Sequence, residues 1–264
     1  MYTWHWHQWQ DLPYLRCSLL DSWQHGFFSR QFSPQTPAEL VAGLDPTAKA
    51  YRLKQVHGNL VLKTSQVRPL PTPNSTDTVE LLEADALLTE NPHQAVWVAS
   101  ADCVPVLIAD VETGQVAAIH AGWRGTAAKI VPFAIAQFQA QGSQLVNLRI
   151  AMGPAISGEV YQVSDDVAVR LGATVLPIDE TTPTEVLAAL FELAESPVLS
   201  DAEPNKVRVD VRRVNALQLE QLGISPEQVA ISPHCTYKEP ESFFSYRREH
   251  LKKVQWSGIV SIEL

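Results

Sequence analysis

The sequence predicts one mixed α/β domain, and three observations carry that expectation. Short apolar, strand-like runs alternate with segments of helical spacing along the whole chain, and turn residues separate them. No internal repeat or low-complexity linker divides residues 1–264. A hydrophobic fraction of 45% over 264 residues is enough to bury a sizeable core.

Taken in order, residues 2–7 alternate Tyr2, Trp4 and Trp6 with Thr3, His5 and His7, the period of a half-buried strand whose histidines lie on a solvated edge. A turn is expected over 11–16, followed by a hairpin from 17–20 and 25–29, with Cys17 as a small core residue. Pro34 and Pro37 mark a loop over 31–44 holding a short helix at 38–42 capped by Thr36. Residues 52–63 read as a strand interrupted at Gly58, with His57 at the break. The three prolines of 68–78 require an exposed loop.

The segment 83–88 leads to a strand at 95–99, and two further apolar strands follow at 104–109 and 115–120. Pro105 has no N–H for a ladder, so it belongs at a strand start or bulge. Helical spacing runs over 127–141, where Pro132 fits only if the helix begins late or kinks. The remaining expectations are strands at 148–152, 206–209 and 229–232, and helices at 165–171, 184–193 and 211–222. Asp210 caps the last helix, Gly223 closes it, and a strand or short helix follows over 254–262.

Composition excludes several functions. Lys plus Arg number 20 against 29 Asp plus Glu, a formal charge of −9, which argues against holding nucleic acid through phosphate neutralisation. No apolar run is long enough to span a bilayer. The start MYTWHWHQWQ lacks a positive segment leading into an apolar one, so no signal peptide is read and a cytoplasmic location is expected. Three cysteines, Cys17, Cys103 and Cys235, describe no disulfide framework.

The chemistry is expected in VASADCVPVLIADVETGQVAAIHAGWRG, residues 98–125. Cys103 and His120 stand where neighbouring apolar strands run out, and His57 interrupts a third. Small or turn-forming residues flank each, as at places where a sheet presents side chains to a cleft. A His, His and Cys set leaves one tetrahedral zinc position open for water or substrate. Arg124, between Gly122 and Gly125, offers a fork for phosphate or carboxylate.

The blocks KQVHGNLV, ADCVPVLIAD, AAIHAGWRGTAAKIV, IAMGPAISGEVYQV and CTYKEPESFFSYRRE resemble the signatures of the YfiH-like, or multicopper polyphenol oxidase "laccase-domain", family. The similarity runs from about His25 to Arg248. It implies a single-domain layered sandwich of mixed β-sheets covered by helices, with Zn2+ or copper held by His57, Cys103 and His120. It also implies purine nucleoside chemistry, namely phosphorolysis of adenosine, inosine, guanosine or methylthioadenosine and deamination of adenosine. Arg30 in HGFFSR and Arg247 in FFSYRR match substrate-contacting arginines, and Asp102 matches a carboxylate that orients His120 or an incoming nucleophile. The family's longer, glycine-rich insert is replaced here by a short segment over 31–50, so substrate contacts from that insert are missing or altered. Three alternatives stay open: a copper-dependent polyphenol oxidase, a metal-free cysteine hydrolase using Cys103 and His120, and a nucleoside-binding module without chemistry.

Overall fold

The structure, a computed structural model, describes residues 2–73, 75–177 and 182–264. Its strands are β1 (Trp4–Trp9), β2 (Leu12–Cys17), β3 (His25–Phe28), β4 (Lys49–Arg52), β5 (Val61–Lys63), β6 (Ala86–Leu88), β7 (Gln94–Ser100), β8 (Val104–Asp110), β9 (Val116–Ala121), β10 (Leu148–Met152), β11 (Gln162–Ser164), β12 (Val198–Ser200), β13 (Lys206–Val209), β14 (Val229–Ile231) and β15 (Gln255–Val260). The helices are α1 (Pro37–Leu40), α2 (Trp123–Ala127), α3 (Ile130–Ala140), α4 (Asp165–Gly172), α5 (Pro183–Glu192), α6 (Val211–Gln221) and α7 (Tyr246–Glu249).

Two mixed six-stranded sheets form the body, in the orders β1-β2-β3-β15-β7-β4 and β14-β10-β8-β9-β6-β5, and a three-stranded sheet β11-β13-β12 lies with α4 and α5. The β8–β9 hairpin sits at the centre of the second sheet, and every residue of both strands is buried. Val106, Ile108, Ala117 and Ile119 join the core under the helices, whereas Leu107, Ala109, Val116 and Ala118 join the core shared with the first sheet. Both faces are therefore buried, and the strands read as near-continuous apolar runs. His120 has the parity of Val116 and Ala118, so the pleat turns it toward the first sheet. Register places it opposite Pro105, with Val104 opposite Ala121.

Helix ends follow the sequence logic. The Asp210 side chain accepts the N–H groups of Arg212 and Arg213. Helix α3 begins at Ile130, so Pro132 falls in the first turn, where no intrahelical N–H is required. Cys17 is fully buried in the core between the sheets, and His5 and His7 are exposed. The loop over 68–78 has no regular structure, with Asn74 outside the described residues. No described helix is long and apolar enough to cross a membrane.

Three expectations are corrected. Residues 18–20, expected as a strand paired with 25–29, form a 3-10 turn, and β3 pairs with β2 through Tyr14–Phe28 and Leu15–Phe27 instead. The turn expected over 11–16 is only Gln10 and Asp11, at φ of 53° and 60°, and β2 follows at once with Leu12 paired to Trp9. The strand expected over 52–63 is two strands in different sheets, because the chain leaves the first sheet after Arg52 and enters the second at Val61. The chain crosses between the sheets again from β7 to β8. These two crossings carry His57 and Cys103.

Leu107 is fully buried between the sheets and Leu199 is 46% exposed. Leu107→Ala is expected to cost about 2–5 kcal/mol, and Leu199→Ala about 0.5 kcal/mol or less, measured by urea unfolding.

Candidate metal centre

The two crossings and the end of β9 bring three side chains to one point. The ligand atoms of His57, Cys103 and His120 all lie within 4.8 Å of one another. The two imidazoles meet edge to face with ring centroids 4.8 Å apart. Burial grades from exposed His57 through half-buried Cys103 to buried His120, so the cluster has a solvent-facing side. A thiolate and two imidazoles in this arrangement fit zinc or copper and leave a coordination position free.

Local backbone makes the convergence possible. His57 has φ of 62° and Asp102 has φ of 89°, a left-handed region costly for both residue types. Asp102 is held there by its own side chain: Oδ1 accepts from Thr236 Oγ1 and Oδ2 from the backbone N–H of Arg247, both at 2.7 Å. A Cβ at Gly122 would lie 2.8 Å from Cys103 Sγ, so glycine is what leaves room for the sulfur.

The residue that organises the site is Asp85, which the sequence reading gave no role. Its carboxylate, fully buried, accepts four hydrogen bonds. They come from the N–H groups of Val56, His57 and Gly58, at 3.1, 2.9 and 2.8 Å, and from His120 Nδ1 at 2.8 Å. Its backbone oxygen accepts the His120 N–H at 2.8 Å. With Nδ1 engaged, the His120 Nε2 is left for the cluster. The expectation that Asp102 orients His120 is therefore corrected, since Asp85 does so and Asp102 braces the chain beside Cys103.

The charges follow this geometry. Burial opposes ionisation of Asp85, but hydrogen bonds from His120 and Gly58 and the charge of His120 outweigh it and lower its pKa. Burial likewise opposes the Cys103 thiolate, yet the charge and hydrogen bond of His120, then those of His57, bring its pKa down to about 6. Burial disfavours charged His120, but Cys103 and Asp85 together raise it to about 9.

The cluster opens on a cavity of about 690 Å³ whose walls include Arg52, Arg124, Arg247, Lys252 and Lys253. Arg124 and Arg247 both line the cavity onto which the cluster opens. The Arg124 guanidinium stacks 4.5 Å from Trp123 and has no carboxylate partner among the described residues. Arg247 donates from Nη1 to the Gln162 carbonyl at 2.8 Å. Arg30 is a correction, because it does not line this cavity. Its Nη1 is spent on the Pro240 carbonyl and on Glu249 at 2.8 Å, with the guanidinium 4.4 Å over Phe244, which makes it a brace for the segment before α7.

Fold and cluster define a two-sheet α/β protein with a candidate His2Cys metal site. The chain belongs to the multi-copper polyphenol oxidoreductase laccase family, whose profile matches residues 36–261. It is 52% identical over 260 residues to a protein named purine nucleoside phosphorylase from Synechocystis sp., covering 98% of this chain and 97% of that one. Another protein of that name, from Mycobacterium tuberculosis, is 33% identical over 213 residues, covering 80% of this chain and 72% of its own length. The crystal structure of YlmD from Geobacillus stearothermophilus shares the fold, with a TM-score of 0.77, 22% identity, and coverage of 97% of this chain and 98% of that one.

Asp85→Asn is expected to leave the chain folded but to weaken zinc binding about 10–100-fold, as read by competition with a chromogenic chelator. In metal-stripped protein the thiolate is the reactive form, and it is protonated below its pKa. Carboxymethylation of Cys103 should therefore rise through about pH 6 rather than 9. Cys17, raised to about 11 mainly by burial, should stay unlabelled in the same peptide map.

Proposed function

We propose that this chain is a zinc-dependent purine nucleoside enzyme, catalysing phosphorolysis of adenosine, inosine, guanosine or methylthioadenosine and also deamination of adenosine. The observation that carries the proposal is the candidate His, Cys and His ligand group on a cavity lined by several Arg and Lys side chains in an acidic protein. Phosphorolysis needs an anion-binding wall facing the nucleoside, and Arg124 without a carboxylate partner supplies one. The name carried by the Synechocystis relative, across nearly the full length of both chains, supports the same reading.

His57, Cys103 and His120 would hold the metal, which when bound supplies Lewis acidity and an acidified water. The protein's own groups do the rest. Arg124 and Arg247 hold and orient phosphate against the sugar, and Asp85 fixes the orientation of His120. Asp102 has both carboxylate oxygens engaged, so its part is to hold Cys103 and Arg247 in place. Three free cysteines suit a reducing cytoplasm.

The test is product analysis of zinc-loaded protein with adenosine or inosine plus phosphate. Free base and ribose 1-phosphate are expected, with inosine as the additional product from adenosine, and Cys103→Ala should lower turnover at least about 100-fold. Unchanged nucleosides, or equal activity of Cys103→Ala, would sink the proposal.

A second reading is favoured by one alignment. Asp85, His120 and Cys103 form a carboxylate–imidazole–thiol line, the arrangement of a metal-free cysteine hydrolase. Full activity after metal removal, abolished by one equivalent of iodoacetamide at Cys103, would select it. The family's description points instead to copper, and His2Cys is also a mononuclear copper ligand set. A single three-residue group is found among the described residues. Several coppers per chain with phenol oxidation exceeding nucleoside turnover would select that chemistry.

A further inference from the structure

Tyr161 stands on the cavity wall with Cys103, Arg124 and Arg247, just before β11. Its backbone is pinned, with the N–H donated to the Ser157 carbonyl at 3.1 Å and the carbonyl accepting from Val209 at 3.0 Å. Its ring packs against the core under the helices, and the Arg247 guanidinium lies 4.8 Å above the ring centroid. The ring is thus fixed, while its hydroxyl has no protein partner among the described residues. The hydroxyl is open to the cavity rather than sealed in the core, so it is free to donate to a ligand acceptor there.

The geometry points to Tyr161 as a substrate-contacting residue, whose hydroxyl donates a hydrogen bond to a tetrahedral oxyanion held between Arg124 and Arg247. This rests on the phosphorolysis reading and adds to it a residue that fixes the phosphate. The ligand class follows from the donors. Neither guanidinium has a carboxylate partner among the described residues, and two cationic donors beside a neutral phenol donor favour an acceptor whose oxygens bear negative charge. Asp102, the cavity's nearby carboxylate, is occupied by Thr236 and the Arg247 amide and does not compete. Burial and the Cys103 charge, opposed by Arg247, push the phenol up to about 12, so it stays a neutral donor at working pH.

The variant Tyr161→Phe keeps the ring, its packing and the stacked guanidinium, and removes only the hydroxyl. Calorimetric titration of zinc-loaded protein with inorganic phosphate, and separately with adenosine, reads the effect. The phosphate Kd should rise about tenfold or more, because a hydrogen bond to a charged group is lost. Adenosine Kd, zinc content and the unfolding midpoint should not move. A phosphate Kd within about twofold of wild type, or equal weakening of phosphate and adenosine, overturns the assignment. If wild type turns over adenosine with phosphate while the variant keeps the wild-type KM for phosphate, Tyr161 loses this role and phosphorolysis stands. If wild type neither binds phosphate nor consumes adenosine, phosphorolysis falls and this assignment falls with it.

Discussion

The buried carboxylate of Asp85 is the constraint on which the site depends. An ionised carboxylate out of water is costly unless its lone pairs are satisfied, and here four donors satisfy them. Sheet register delivers the group to its place. Antiparallel β6 sets Ala86 opposite Ile119, so the residue before Ala86 lies beside the residue after Ile119. The carboxylate then does two things at once. It accepts the Nδ1–H hydrogen bond of His120, and it draws three consecutive amides of the β4–β5 crossing onto itself. Those amides are lost to any ladder, which is why the chain breaks out of strand geometry at His57.

This accounts for what was legible in the sequence. The β8–β9 hairpin and the position of Cys103 and His120 at its open end could be read because apolar runs, a turn at Glu112-Thr113-Gly114 and Pro105 are local signals. The layered two-sheet sandwich was expected only through the family resemblance. Asp85 could not be read, since a carboxylate in Glu83-Ala84-Asp85 is ordinary until a buried strand is known to follow it. The only hint is its place directly before the fully apolar Ala86-Leu87-Leu88. Asp102 drew attention instead because it adjoins Cys103, and adjacency in sequence is a poor guide where φ is 89° and the side chain is turned away to Thr236.

Arg30 and Arg247 show the same limit. Both follow an aromatic pair and a serine, so local pattern ranks them alike. Tertiary structure separates them. Arg247 stands in the first turn of α7 with its own amide tied to Asp102, which holds it at the cavity, whereas Arg30 meets Glu249 at 2.8 Å and is neutralised there. A net charge of −9 likewise gave no warning of a cationic cavity, because an average over the chain says nothing about which charges lack partners.

The two leading chemistries draw on the same residues. Without a cation, the Cys103 thiolate and the His120 imidazolium sustain each other's charge. A bound cation keeps the thiolate and requires His120 to give up the proton on Nε2, so metal binding is linked to proton release. The Nδ1–H stays on the imidazole and hydrogen-bonded to Asp85 in both states, and the orientation of the ring does not change. Asp85 therefore does not discriminate between a metal site and a nucleophile–base pair. His57 does, because a nucleophile–base pair needs one imidazole and a His2Cys site needs two. The amides around His57 are anchored by the same carboxylate that orients His120, and that shared anchoring holds the His57 backbone where its imidazole comes within 4.8 Å of the other two ligand atoms. A site built only for a thiolate and its base would have no use for that second anchor, and this weighs the geometry toward the metal.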